Sequence, residues 1–425
     1  MKALNISFSI FAILLYGTLT FAQNSLSSAE ISLDEVSKTI KAQNFSVLQN
    51  ATRLYQAKES INVARGNLLP KLNIWKIVTA VADPVSLYGL IQDIAPFLVP
   101  ANWFRLEQSK ILYRAEVEGY QALWGNELLT AKSLYLQVLL DQALLEALRF
   151  AVDRHTDIEE TLKIREMMGS VPAGSTRFVQ IKKLALESDC AEMQVLIRKE
   201  LNELGFALGM TEGAQPILKA VALPTLNLEK PLDAKALDAG VKKASPELRQ
   251  FSYLLQVLPS IKKEVYFSFL GASSVSRGVA GGVFDKLPIQ DGLGFGTGAS
   301  LRIIRSEEAI LKIQIQGLNE TLSRQLALVV DRHNFDLMQS INLLERKKLS
   351  EEQWNLFKSQ ILLGEDVDFA SLIQTTEAAI GIDMLIHQLN YRFLINQQKL
   401  DRLLFAKDYI PPSISNQIIS EKRTR

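Results

Sequence analysis

The stretch Leu134–Val152, LYLQVLLDQALLEALRFAV, decides the fold class, because its apolar residues recur at the spacing of a helix. It lies inside a run from Arg105 to Met168 that contains no proline. The apolar stripe passes through Leu134, Val138, Leu145, Leu148 and Val152. If the whole run is helical, about 60 residues at about 1.5 Å each form a rod of roughly 90 Å.

A second long run, from Ser306 to Leu363, also lacks proline and contains one glycine, Gly317. Its apolar stripe passes through Leu322, Leu326, Val329 and Leu337. Rods of this length cannot bury their stripes inside a compact domain, so each needs partner helices along its length. The sequence therefore predicts a mainly α protein built from long coiled-coil helices.

Each rod ends at a glycine turn, since glycine adopts the left-handed conformation that closes a helix. The first turn is Met168–Gly174 and the second is Leu363–Asp368. Each turn is followed by a further helical pattern, which ends near Leu208 in one case and near Phe405 in the other. Both halves of the chain are therefore predicted to contain a long antiparallel helical hairpin.

The same order of elements occurs twice, at an offset of about 200 residues, which indicates an internal repeat. We interpret residues 23–210 and 239–410 as two structural repeats. A proline-containing linker over residues 211–238 joins them, and a tail over residues 411–425 follows. Each repeat contains a non-helical segment that we interpret as a β-hairpin, at residues 71–102 and 267–304.

The N-terminus has the pattern of a secretory signal, with Lys2, an apolar run and small residues up to Ala22. We expect cleavage after Ala22, which makes residues 1–22 a signal peptide; an uncleaved membrane anchor is the alternative. No later apolar run reaches about 18 residues, so no transmembrane helix is expected. The single cysteine, Cys190, has no internal disulfide partner.

The clearest strand pattern is Gly292–Ile304, GLGFGTGASLRII, in which small and larger residues alternate. Such a period of two predicts a two-faced strand, and its length fits the 9 to 11 residues of a tilted membrane strand. The predicted lipid face comprises Leu293, Phe295, Ala299, Leu301 and Ile303. The predicted lumen face comprises Gly294, Gly296, Gly298, Ser300 and Arg302.

The order of these elements resembles the TolC-like outer-membrane efflux proteins. The likeness is carried by four stretches in the family's order: Ile31–Asn44, Ala57–Pro70, Ser245–Leu248 and Phe393–Gln397. It implies a homotrimer whose helices form a periplasmic tunnel and whose short strands build a shared trimeric outer-membrane β-barrel. It also implies a periplasmic adaptor protein and an inner-membrane pump as partners.

The resemblance places the functional residues at the two helical turns. The residues expected to contact the adaptor are Gly169, Ser170, Val171, Gly364, Asp366 and Val367. Asp366 and Asp368 are expected at the aperture, where carboxylates facing a narrow tunnel attract cations. Ala370 and Ile373 stand near the places where family members often carry aspartates.

Two patterns invite catalytic interpretations that the sequence disfavours. The motif Val-Asp-Arg-His occurs twice, ending at His155 and His333, but a histidine beside a helical seam is more often packed than catalytic. The glycine run lacks the preceding buried strand and immediate helix of a dinucleotide loop. We therefore predict neither catalysis nor a cofactor or metal, and the balance of 47 basic and 46 acidic residues gives no case for nucleic acid.

The sequence predicts a passive exit duct of a tripartite efflux or type I secretion system in the outer membrane of a Gram-negative bacterium. The alternative is a periplasmic coiled-coil scaffold of the same family without a working barrel. Residues 71–102 discriminate between the two, because the duct requires membrane-length strands there. A third possibility, an exported nucleotide-dependent enzyme, requires the glycine run to be a strand-loop-helix turn.

Overall fold

The computed structural model describes residues 30–69, 95–211, 214–267, 294, 296–363 and 369–412. The predicted signal peptide, most of both predicted β-hairpins, the second glycine turn and most of the C-terminal tail lie outside these residues. Within them no helix is both long enough and apolar enough to cross a membrane.

The described residues form eight α-helices, two short strands and three 3₁₀ turns. The first half contains β1 (Glu30–Ile31), α1 (Val36–Gln43), α2 (Phe45–Gly66), a 3₁₀ turn (Pro96–Leu98), α3 (Pro100–Met167) and α4 (Ser175–Leu208). The second contains β2 (Ile217–Leu218), a 3₁₀ turn (Leu226–Leu228), α5 (Ala234–Ala244), α6 (Pro246–Phe267), α7 (Thr297–Leu363), α8 (Phe369–Leu403) and a 3₁₀ turn (Lys407–Tyr409). The rods α3 and α7 have 68 and 67 residues, which corresponds to about 100 Å each.

The prediction of a strand over Gly292–Ile304 is wrong from Thr297 onward, because α7 begins there. The Thr297 hydroxyl accepts a hydrogen bond from the Gly294 backbone N–H at 3.1 Å. The Ser300 backbone N–H donates to the Gly296 carbonyl at 2.9 Å, which closes the first helical turn. The small residues thus form a helix start, where a short polar side chain satisfies a backbone N–H group.

The two predicted faces of that strand therefore do not exist in the described part. Ile304 is fully buried and packs with Leu311, seven residues later on the same helical face. Ala299, Leu301 and Ile303, expected together on a lipid face, are spread around the helix, and so are Gly298, Ser300 and Arg302. Leu293 and Phe295 lie outside the described residues, whereas Gly294 and Gly296 form the turn before α7.

The first predicted β-hairpin, residues 71–102, is also wrong at its C-terminal end. Residues 96–102 form a 3₁₀ turn and the start of α3. Pro100 opens the helix, where the missing backbone N–H of proline costs nothing. The Asn102 side-chain amide donates to the Pro96 carbonyl at 2.9 Å and fixes the approach to the helix.

The four helices of the two hairpins are packed in the order α4, α3, α8, α7. Val138 and Leu145 of α3 pack against Cys190 and Ile197 of α4, and Met384 of α8 closes the same cluster. Helix α8 packs in turn against α7, through Phe393 and Leu343 among others. Helices α4 and α7 are therefore the two edges of the layer.

The largest hydrophobic core surrounds the middle of α3, where Trp124, Leu128 and Tyr135 are almost fully buried. The Tyr135 hydroxyl lies 2.8 Å from the Ile31 carbonyl and 2.6 Å from the Lys219 carbonyl. Ile31 belongs to β1 and Lys219 directly follows β2, so the Tyr135 side chain attaches both strands of this parallel pair to α3.

The equivalent helices α2 and α6 each begin at a capping residue. The Asn44 Oδ1 atom accepts from the Val47 backbone N–H at 2.9 Å, and the Ser245 Oγ atom accepts from the Leu248 backbone N–H at 3.2 Å. The stretch Ser245–Leu248 is thus a helix start with proline at its first position.

Candidate functional site

Helix α7 has an exposed apolar stripe on the free edge of the layer. Leu328, Phe335, Leu349 and Leu356 are separated by multiples of seven residues, and each is between 47 % and 72 % exposed. Seven-residue spacing keeps a stripe facing one partner helix along a supercoil. Among the described residues, Arg332 lies over the Phe335 ring at 5.4 Å, but no other helix of the chain covers the stripe. It is therefore a candidate assembly surface, which we name the α7 edge.

Helix α4 has a comparable stripe at the opposite side of the layer. It buries Cys190, Ile197 and Leu204 against α3, which accounts for one of its faces. On its other faces, large apolar side chains between 52 % and 69 % exposed are Phe178, Ile181, Leu184 and Val195. A helix that is apolar on more than one side normally has partners on more than one side. We name these four residues the α4 edge.

The two edges differ in sequence and lie on opposite sides of the layer. A contact between the α7 edge of one copy and the α4 edge of another is therefore head-to-tail, not self-paired. Head-to-tail contacts generate closed rings when the rotation between copies closes. The geometry thus allows a ring of copies with a continuous helical wall.

The first hairpin turn is closed by two glycines that adopt positive φ angles, Gly169 at 71° and Gly174 at 95°. The Ser170 backbone N–H donates to the Arg165 carbonyl at 3.0 Å, and the Gly169 N–H donates to the Glu166 carbonyl at 3.1 Å. This pair of bonds is the Schellman motif, which satisfies the last carbonyls of a helix. The glycine turn predicted after the first rod is confirmed.

Glu166 fastens this turn to the helix that follows, a contact the sequence reasoning missed. Its carboxylate accepts hydrogen bonds from the Gly174 N–H at 2.7 Å and from the backbone N–H and the hydroxyl of Thr176. These bonds, led by the Thr176 hydroxyl, lower the pKa of Glu166. A glutamate in the last turn of a helix gives no local signal for this role, because it caps the next helix.

The residues predicted to contact an adaptor differ in their environment. Ser170 is exposed, and its hydroxyl donates to the Arg165 carbonyl at 3.0 Å. Val171 is half-buried and packs against a small cluster that includes Val179 and Ile373. Its role is therefore partly structural, since it attaches the turn to α4 and α8.

The tip of the first hairpin ends in two highly exposed methionines, Met167 and Met168, which are 74 % and 76 % exposed. Ile373, which stands near a family aspartate position, is only 5 % exposed and belongs to the cluster around Val179. Gly364, Asp366, Val367 and Asp368 lie outside the described residues, so their assignments stay predictions.

The two histidines of the repeated motif are packed residues in different surroundings. His155 is 1 % exposed, and its Nδ1 atom lies 2.8 Å from the Ala151 carbonyl. The His333 Nε2 atom lies 3.1 Å from the Lys230 carbonyl, and its ring contacts Phe393. In the part of the chain that the structure describes, no group of three or more His, Cys, Asp or Glu residues is placed to hold a metal ion.

No protein-family model and no curated protein matches the chain. Several solved structures share its fold. The outer membrane channel CmeC of Campylobacter jejuni is 12 % identical with a TM-score of 0.64, covering 92 % of this chain and 89 % of that one. The open-state MtrE outer membrane channel of Neisseria gonorrhoeae is 13 % identical with a TM-score of 0.65, covering 88 % of each chain.

The outer membrane protein VceC of Vibrio cholerae is 11 % identical with a TM-score of 0.64, covering 88 % of this chain and 95 % of that one. The shared coverage extends over both helical hairpins and not only over one of them. The chain therefore has the fold of the bacterial outer-membrane channels, and its resemblance to the TolC-like proteins is confirmed at the level of the fold.

Proposed function

We propose that the chain is the outer-membrane channel of a tripartite efflux or type I secretion system, in which it serves as a passive exit duct. The observation that carries this proposal is the pair of apolar edges on α4 and α7. A single copy leaves both edges in water, whereas a closed ring covers every one of them. The shared fold with outer membrane channels supports the channel role.

The assembly we propose is a homotrimer. Each copy contributes the four helices α4, α3, α8 and α7, so the contact between edges extends this layer into a tunnel wall. Each copy contributes two similar hairpins to the wall, one from each repeat, residues 23–210 and 239–410. Three copies therefore give a wall of six similar hairpins. Burial of Leu349 against Ile181 of the neighbour stabilises the contact by roughly 1 kcal/mol per side chain, since each is partly buried already.

The membrane end of the channel is proposed where α3 begins and α6 ends. The Arg105 guanidinium pairs with the Glu264 carboxylate at 2.7 Å, which places these two helix ends side by side. Helix α7 starts beside them, since Lys262 pairs with Glu308 at 2.8 Å. We propose that the segments outside the described residues at this end supply the strands of the shared barrel, which gives an outer-membrane location with the helices in the periplasm.

The opposite end, at the hairpin turns, is the proposed contact for a periplasmic adaptor and an inner-membrane pump. The described turn supports this role because Glu166 holds it in one conformation and leaves Ser170 and both methionines exposed. Methionine is common at surfaces that bind other proteins. In this proposal the energy for transport comes from the pump, and the channel acts as a passive duct.

A planar-bilayer recording tests the duct and its aperture together. We expect the purified protein to form discrete conducting channels, and replacement of both Asp366 and Asp368 by Ala to change the conductance or the block by cations. Absence of channels, together with a monomeric soluble protein, contradicts the duct and favours a periplasmic scaffold. Channels that are unchanged in the double variant remove these aspartates from the aperture but leave the duct intact.

A further inference from the structure

A cleft of about 430 Å³ lies over α8, between α3 and α7, and no step of the proposed function uses it. Its α3 wall carries Phe150 and Arg154, and its α7 wall carries Ser350 and Trp354. Thr376 and Ile380 of α8 are among the residues of its floor. All of these residues belong to one copy, so the cleft does not depend on assembly. We name it the α3–α7 cleft.

The Arg154 guanidinium contacts two aromatic rings of the cleft. Its carbon is 4.8 Å from the centre of the Phe150 ring and 5.8 Å from the centre of the Trp354 ring. Contacts of this kind hold the planar group by its faces and leave the N–H donors at its edge available. No carboxylate of the described residues lies within ion-pair distance of Arg154. A fixed cation with open donors is thus present in the cleft.

A second polar group in the cleft has no partner. The Ser350 hydroxyl is buried and makes no hydrogen bond with any described residue. A buried hydroxyl without a partner costs about 1 to 3 kcal/mol relative to a satisfied one. The Thr376 hydroxyl differs, because it donates to the Leu372 carbonyl at 2.9 Å. Ser350 lines the cleft, so rotation of its side chain to another rotamer turns this unsatisfied donor toward a bound molecule.

The charges in the cleft favour a negative ligand. Lys347 and Asp383 pair with each other at 2.9 Å and largely cancel. Glu351 is exposed, so water screens its charge, whereas Arg154 is only partly exposed. The unpaired charge nearest to the apolar walls is therefore that of the guanidinium.

We propose that the α3–α7 cleft binds a small organic anion with an aromatic or apolar body. Its carboxylate, sulfonate or phosphate accepts hydrogen bonds from Arg154 and Ser350, and its body lies against Trp354. Charged hydrogen bonds to guanidinium supply orientation, and the aromatic wall supplies apolar contact area.

The test is calorimetric titration of the full-length protein, in detergent, with naphthalene-2-sulfonate. Its neutral isostere naphthalene-2-sulfonamide and the cation 2-naphthylmethylammonium are titrated in parallel. We expect the sulfonate to bind about tenfold tighter than the sulfonamide or better, because only the sulfonate forms charged hydrogen bonds with Arg154. Arg154→Gln should remove this preference, and Ser350→Ala should weaken sulfonate binding about threefold.

The control variant is Arg53→Gln, which removes an exposed arginine of α2 and should leave all three affinities unchanged. Circular dichroism shows whether each variant keeps its helices, and the sulfonamide affinity reports an intact aromatic wall. Equal affinities for the sulfonate and the sulfonamide overturn the proposal, and so does a sulfonate preference that survives Arg154→Gln. Tighter binding of the cation, or no binding of the sulfonate at millimolar concentration, also overturns it.

Discussion

The two helical hairpins place a buried aspartate at matching positions and give it opposite neighbours. Asp141 of α3 and Asp336 of α7 lie about 195 residues apart, the offset of the hairpin glycines, and are 3 % and 0 % exposed. Asp141 faces another carboxyl group, Glu200 of α4. Asp336 faces the Arg392 guanidinium of α8 at 2.7 Å. We call the α3–α4 contact the first seam and the α7–α8 contact the second seam. Each seam has a buried aspartate, but the aspartate faces a carboxyl group in the first seam and a guanidinium in the second.

The first seam depends on a proton and the second on a cation. Burial, followed by the adjacent Asp141, raises the pKa of Glu200 to about 8. Near neutral pH this carboxyl therefore keeps its proton and donates to its neighbour, since two adjacent carboxylates repel. Arg392 stays charged at any pH near neutrality, so the second seam has no such dependence. Similar helices are thus held together by different chemistry.

The two hairpins also differ at their C-terminal ends, where each chain turn has a residue with a positive φ angle. Helix α4 ends at Gly209 with a φ of 78°, and α8 is followed by Phe405 with a φ of 51°. A Cβ atom at residue 209 would overlap the Gln43 carbonyl oxygen, whereas Phe405 packs its side chain against the core. Only the first half therefore requires glycine at this turn.

The largest expected effect is that of Gly209→Ala. Positive φ at a residue with a side chain and overlap with the Gln43 backbone together cost about 4 kcal/mol of unfolding free energy. Denaturant titration monitored by circular dichroism measures the loss. The control is Gly240→Ala, at a helical site with open space, which should stabilise by roughly 0.5 to 1 kcal/mol. Equal effects of the two substitutions contradict the close approach.

The next effect is that of Arg392→Leu at the second seam. It removes the shorter of two cation contacts from Asp336 and leaves Arg332 at 3.2 Å, so a loss of about 3 kcal/mol is expected in the same titration. Lys348→Leu, which removes a 76 % exposed partner of Glu352 at 3.9 Å, should change stability by less than about 0.5 kcal/mol. A loss no greater than that of the control shows that the buried pair is not stabilising.

The smallest expected effect is a pH dependence confined to the first seam. The folded protein keeps the Glu200 proton between the ordinary pKa of 4.5 and about 8, whereas the unfolded chain has lost it. Stability attributable to this group therefore falls as pH rises through that window, by roughly 0.5 kcal/mol per pH unit after solvent screening.

Glu200→Gln tests this dependence, because glutamine donates to Asp141 at every pH. The variant should be more stable than the parent at pH 8 and show a flatter stability profile between pH 5 and 8. Lys348→Leu, which changes only an exposed pair, should keep the parent's slope. If the unfolding free energy of Glu200→Gln has the same slope against pH as that of the parent, the titrating group is not Glu200.

The rods, their seams and the first glycine turn were predictable from the sequence, because helical spacing in α3 persists over many turns. The strand over Thr297–Ile304 was wrong because eight residues of alternation also fit a helix. There, Ser300 and Ile304 share a buried face while Thr297 caps the start. The apolar edges were predicted only in part. The sequence pattern placed Leu326 and Val329 on a packed face, but it gave no sign that Leu328, on the same helix, would be exposed.

The contacts that refine the site depend on register between helices that are distant in sequence. Glu166 caps a helix that starts nine residues later, and Glu200 meets Asp141 only because α3 and α4 align as they do. A periodic pattern identifies which face of a helix is apolar, but not which residue of another helix lies opposite.

The most direct test of the ring is a cross-link between its two edges. His155 and Lys182 both lie beside Glu377, and Lys347 pairs with Asp383, so Ile181 and Leu349 lie at similar depth. In a Cys190→Ser background, the protein carrying Ile181→Cys and Leu349→Cys is treated with a short bismaleimide in membranes. We predict a covalent product of three chains, which neither single-cysteine protein forms. Monomer alone, or the same products from the single variants, contradicts the head-to-tail ring.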